Sequence, residues 1–287
     1  MKTLRLSTAL FAAGALIALA SCGSDDDKPD KTYYEAVSSS SFTYVTDRAT
    51  GVGRVFEGPT YRLKFDNETF KATLTMENVR YTDGESPRTV VFENLPWTND
   101  NRTGARVIDV DAAGSVGTPS LSVADLEIKV LEKAEVAGAE MEGVAVSYEV
   151  LGVGEVTNVP YRAVFAGATE TVNSSSGSSY VSTEPTYAVD VDPRTMTAVL
   201  KITDPAFDPN MPKLGAMEFA GLSVTIVDGG YILSSESLTP SIGGTPFPRY
   251  QITGLRMSAD LGGDSELKFT CMGVFSVTAS FEATYTP

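Results

Sequence analysis

The sequence predicts an all-β protein built from two tandem copies of an antiparallel β-meander domain, and three observations carry that expectation. First, PTYRLKFDNETFKATLTM (Pro59 to Met76) aligns without gaps on PTYAVDVDPRTMTAVLKI (Pro185 to Ile202), an offset of 126 residues. Second, FENL at Phe92 meets FAGL at Phe219, and SYEVLGVGEVTNVPYRAVF from Ser147 meets KFTCMGVFSVTASFEATY from Lys268, so matched segments recur in one order. Third, apolar residues alternate with period two: Tyr61, Leu63 and Phe65, then, past Asp66-Asn67-Glu68, Phe70, Ala72, Leu74 and Met76. Period two on both sides of an Asp/Asn turn reads as a hairpin with one buried face.

The chain opens with Lys2 and Arg5, followed by an apolar run from Leu10 to Ala20 that is too short to span a bilayer as a helix. That is the layout of a secretory signal peptide over residues 1–21. Leu19-Ala20-Ser21-Cys22 resembles the lipobox of bacterial lipoproteins, which implies cleavage before Cys22 and lipid on its sulfur. The resemblance implies three acyl chains, and at about 0.8 kcal/mol per buried methylene these hold the chain on its membrane. Ser24, Asp25, Asp26 and Asp27 resemble the acidic export signal of Bacteroidetes lipoproteins carried to the cell surface. As bare residues they read equally as a solvated linker. Residues 22–41, with their serine run, are expected to be a tether.

The first β-domain is expected over 42–168 and the second over 178–287. The Gly/Ser-rich stretch between them, centred on 169–177, is expected to be a flexible linker. Alternation continues in LSVADLEIKVL and EMEGVAVSYEVL, and in the second copy in YQITGLRMSADL and ELKFTCM. Seven or eight short strands per copy, broken by Gly, Pro, Asn and Asp, imply an antiparallel barrel or a sandwich. Strand count, meander order and the tandem arrangement resemble the calycin-like β-barrels of Bacteroidetes surface lipoproteins. The Gly-x-Trp start of true lipocalins is absent. The alternative is a two-domain β-sandwich of the pilus-subunit kind.

Composition narrows the function. The chain has 22 Lys+Arg against 37 Asp+Glu, and loss of residues 1–21 removes two bases and no acid, leaving a net charge of −17. Such a surface repels nucleic acid and anionic membranes. Histidine is absent, which excludes Ser-His-Asp and Cys-His chemistry and histidine metal sites. With Cys22 lipidated, Cys271 has no disulfide partner within the chain. In ELKFTCM, Cys271 takes the place that Val150 holds in the first copy, and an exchange of valine for cysteine marks an apolar core position.

Trp97, the single tryptophan, ends a strand beside NDNRTG, where it is the candidate to stack a sugar or anchor a partner. Its repeat partner Val224 favours burial instead. The carboxylates group as Asp109 with Asp111, Asp190 with Asp192, and Asp204 with Asp208 and Asn210. The last set is the best calcium candidate, though it lacks the spacing of a calcium loop, and its prolines account for a rigid turn. No metal or cofactor is assigned. Paired carboxylates serve glycosidases, but nothing in the sequence sets two of them at a fixed distance.

The expected function is therefore non-enzymatic. The protein is expected in the outer membrane, held by lipid on Cys22 and exposed at the cell surface. Its duplicated domains would bind an extracellular ligand or partner (glycan, protein or small hydrophobe), with duplication raising effective concentration at a two-site target. The alternative is a structural or assembly component of a surface fibre or envelope complex. Its donor strand would lie in VSSSSFTYVT, Val37 to Thr46.

Overall fold

The computed structural model describes residues 33–117, 120–136, 139–210 and 214–286. The signal peptide, Cys22 and the export signal at Ser24, Asp25, Asp26 and Asp27 lie outside the described residues. Strands and turns make up the described chain, with one short 3-10 turn at Pro248–Tyr250.

The first half contains β1 (Tyr33–Ser38), β2 (Ser41–Asp47), β3 (Gly53–Glu57), β4 (Thr60–Asp66), β5 (Lys71–Val79), β6 (Arg88–Pro96), β7 (Thr98–Asn99), β8 (Arg106–Gly114), β9 (Ser122–Val136), β10 (Ala139–Val150) and β11 (Gly154–Pro160). The second contains β12 (Arg162–Asn173), β13 (Ser179–Ser182), β14 (Thr186–Asp192), β15 (Thr197–Thr203), β16 (Ala216–Val227), β17 (Gly230–Leu238), β18 (Ser241–Ile242), β19 (Thr245–Pro246), β20 (Ile252–Asp260), β21 (Ser265–Cys271) and β22 (Phe275–Tyr285).

The second half is a closed eight-stranded antiparallel barrel. Its strands run in chain order β12-β14-β15-β16-β17-β20-β21-β22, and β22 pairs back onto β12 from Val164↔Tyr285 to Asn173↔Phe275. Closure removes the open sheet edges that a sandwich would carry. Eight strands leave an interior just wide enough for side chains. Here Tyr187, Leu200, Phe219, Leu233, Met257, Leu267 and Phe281 fill it.

The first half is the same meander opened at two seams. A four-stranded sheet, β1-β4-β5-β6, and a seven-stranded sheet, β3-β2-β11-β10-β9-β8-β7, wrap one apolar core. One seam lies between β6 and β8, bridged at Val91↔Val116. The other lies where the chain breaks between Ser38 and Ser41. The second barrel runs through the equivalent place as the single strand β12, with a bulge between Phe165 and Gly167.

The repeat holds residue by residue and reaches further upstream than the matched segments. Thr43 hydrogen-bonds Tyr61 at 3.1 Å, and Thr169 hydrogen-bonds Tyr187 at 2.5 Å, each pair 126 residues from its counterpart. Gly51 N donates to Asp47 O, as Gly177 N donates to Asn173 O. The stretch expected as a linker, 169–177, is therefore corrected: it is the end of β12 and the turn into β13, matching the β2–β3 hairpin. Its serines occupy a turn held by Asn173, whose Oδ1 accepts from Ser175 N and Ser176 N. The barrel boundary at 168 moves with it, because β12 begins at Arg162. The expected tether also gives up residues, since Tyr33–Ser38 pairs along β4 as β1.

The two barrels do not float apart. Phe42, Ala145 and Val159 point outward from β2, β10 and β11 and join the apolar cluster of the second barrel. Glu142 and Thr286 exchange backbone hydrogen bonds across the junction, at 3.3 and 2.9 Å. A Cβ on Gly143 would stand 2.7 Å from Thr284 O, so only glycine allows this approach. The described residues of both barrels form one compact unit.

Candidate functional site

Candidate chemistry lies in the barrel interiors, at the rim around Trp97 and in the outer crease between the barrels. The first interior is closed by aromatic side chains whose hydroxyls meet. Tyr148 lies 3.1 Å from Tyr81 and 3.4 Å from Tyr61 by hydroxyl oxygens, and Tyr61 is bonded onward to Thr43. Burial raises all three phenols above the ordinary tyrosine value, because the phenolate would be desolvated. Nearby, Asn158 donates to Ser38 at 3.2 Å, while Asn158 Oδ1 and Ser41 Oγ are buried with no partner.

Trp97 caps one end of this barrel and is only 5% exposed. Its Nε1 donates to Asp66 O, its edge meets Phe65, and Phe70 lies over it with ring centroids 5.2 Å apart. The Arg106 guanidinium sits among Tyr34, Phe65 and Trp97, 4.1 Å from the Tyr34 ring, and pairs with Glu132. Trp97 N donates to Phe70 O, as Val224 N donates to Met196 O, which places Trp97 and Val224 at equivalent points. What reaches solvent here is Phe70, at 53% exposure.

Cys271 is fully buried, and burial pushes its thiol up to about 12, so it is not a thiolate near neutral pH. Asp192 caps a turn, accepting from Arg194 N and Thr195 Oγ1, and those hydrogen bonds hold its carboxyl below the usual range. Asp208 accepts from Asn210 N. Among the described residues no three ligating side chains converge to hold a metal ion. The Val37–Thr46 segment is already used within the first barrel: β1 pairs with β4, and β2 has a partner on each side.

The outer crease gathers carboxylates. A groove of about 180 Å³ is lined by Asp109, Asp125, Glu127, Glu149 and Glu155 of the first barrel and by Asp228 of the second. Alternation puts the first-barrel carboxylates outside while Ile108, Leu126, Ile128 and Val150 face the core. Asp228 comes from the Asp-Gly turn between β16 and β17. Of the candidates read from sequence, only Asp109 lies here; Asp190, Asp192, Asp204, Asp208 and Trp97 do not.

No family model matches the chain, and no curated protein matches it. A solved structure described as intact Ap-TbpB, with N and C lobes, aligns over 88% of this chain and 78% of that chain, at 10% identity and a TM-score of 0.24. A likeness at that score supports no conclusion about this protein.

Proposed function

We propose that this protein is a non-enzymatic, lipid-anchored lipoprotein of the Bacteroidetes surface type that binds an extracellular ligand through its outer surface. One observation carries the reading: both barrel interiors are filled by their own side chains. The tyrosine hydroxyls meet across the first, and Tyr187, Phe219 and Phe281 pack the second. Side chains that fill an interior leave little room for cargo, and recognition then falls to the outside. The lipobox at Cys22 and the acidic run at Ser24–Asp27 supply the anchor and the address. With the barrels packed on one another, the duplicated unit presents one rigid surface rather than two independently tethered sites.

Two experiments test this. Intact source cells treated with a membrane-impermeant biotin reagent should label the wild-type protein, and Cys22→Ala should move it out of the membrane fraction. A protein shielded from the reagent would refute surface display. For the interior, a polarity-sensitive apolar dye should gain no fluorescence from the folded protein; saturable one-to-one enhancement would place a ligand cavity inside a barrel.

A further inference from the structure

The groove between the barrels carries more negative charge than the cations beside it balance. Glu127 pairs with Lys129 at 2.8 Å and Glu149 pairs with Arg48. Asp109, Asp125, Glu155 and Asp228 have no cationic partner among the described residues. A second observation is independent of charge. Ser147, on the outward face of β10, is only 8% exposed and lines the groove, and its hydroxyl makes no hydrogen bond. A hydroxyl in that position can accept from an N–H donor lying among the carboxylates.

We infer that this groove binds a thin, linear alkylammonium ligand, a di- or triamine, with its ammonium groups spread along the carboxylates and one of them donating to Ser147. The size of the site and the spread of its acids select this class. At about 180 Å³ it is smaller than the roughly 300–1,000 Å³ of pockets for compact organic ligands. Its acids come from β8, β9, β10, β11 and the β16–β17 turn and do not converge on a point, so they suit charges spaced along a chain better than one chelated ion. Lysine side chains of a partner protein share this chemistry, and the test separates the two sources. The inference rests on recognition being external. Cargo retained inside a barrel would overturn that reading without changing the outcome at the groove.

The test is calorimetric titration of the mature chain with spermidine at low ionic strength, with magnesium chloride and a lysine-rich peptide as parallel arms. Three variants accompany it: Asp109→Asn with Asp228→Asn, Ser147→Ala, and the charge control Glu35→Gln with Glu236→Gln. Asn-Gly suits the same two-residue turn as Asp-Gly, so the change at 228 leaves that turn intact. Wild type and the charge control should bind spermidine one-to-one and lose affinity as salt rises. The double groove variant should bind about 5- to 20-fold more weakly, and Ser147→Ala about 2- to 5-fold, with melting temperatures unchanged. The inference fails if wild type shows no saturable binding, if the groove variants bind as well as the control, or if magnesium displaces spermidine at matched ionic strength. Binding of the peptide without spermidine also overturns it, in favour of a partner's side chains.

Discussion

Where the first barrel places Tyr81, the second places Phe207, again at an offset of 126; where the first has Tyr148, the second has Phe269. Around these positions the backbone is kept. Tyr61 and Tyr187 stand in the same register with the same threonine bond, and Phe70 and Met196 hold the same left-handed conformation, at φ 54° and 52°. At these positions one interior is therefore tied by three phenol hydroxyls that meet, and the other is packed by rings, with Phe269 edge-on to Phe207 and Phe219. The comparison teaches that the fold accepts either chemistry at these positions, while a few buried polar atoms, Ser41 Oγ and Asn158 Oδ1 in the first barrel and Thr171 Oγ1 and Tyr231 Oη in the second, are left without a partner.

The largest effect should come from removing volume in the closed barrel. Phe281→Ala, at a position 1% exposed and stacked on Phe165 and Tyr187, should cost about 3–5 kcal/mol in denaturant unfolding. Phe70→Ala, on the exposed rim, should cost far less.

Next is a test of the comparison itself. Tyr148→Phe strands the Tyr81 hydroxyl and weakens the Tyr61 network, for about 1–3 kcal/mol. Replacing Tyr81 and Tyr148 together by Phe should recover most of that loss, because Tyr61 keeps its bond to Thr43 and no hydroxyl of the network is left unpaired. If the double variant is worse than the single by a second penalty of the same size, the hydroxyls are not a closed network.

Cys271→Val, which gives the second barrel the residue of the first at Val150, should change stability by under about 1.5 kcal/mol. The wild-type thiol should resist maleimide until the protein unfolds.

The smallest effects concern pH and single buried atoms. The Asp47, Asp66, Asp100 and Asp192 carboxyls are held below their ordinary value chiefly by hydrogen bonds from their own turns. A lowered carboxyl contributes stability that is present above the unfolded value of 3.8 and is lost as pH falls through the folded one. Thermal unfolding should therefore be flat near neutrality and decline below about pH 4. Ser41→Ala removes an unpartnered buried hydroxyl and should be neutral or slightly stabilising.

Much of the fold was legible because hairpins write their period locally. The 126-residue offset at Pro59 and Pro185 located two equivalent β-hairpins, and the Val150–Cys271 match anticipated a buried thiol. The Ser/Gly stretch was misread because composition spoke louder than alignment: Thr43 with Thr169, Asp47 with Asn173 and Gly51 with Gly177 carry the same offset through it. Tyr33–Ser38 was missed because its short alternation begins directly after an acidic, polar run. The continuous burial of Val156 to Pro160 reflects a strand covered on both faces, by its own core and by the second barrel. The groove could not be read at all. Its carboxylates come from five separate places in the chain and meet only when β16 and β17 bring Asp228 across the junction.

The central claim is that both barrels are packed with their own side chains and that binding is external. Native mass spectrometry of the mature chain, carrying Cys22→Ala and expressed in its source cells, tests this most directly. The expected result is the mass of the bare polypeptide after mild desalting. A discrete additional mass that survives desalting and leaves only on unfolding would contradict it, because only an enclosed interior would hold a ligand so firmly.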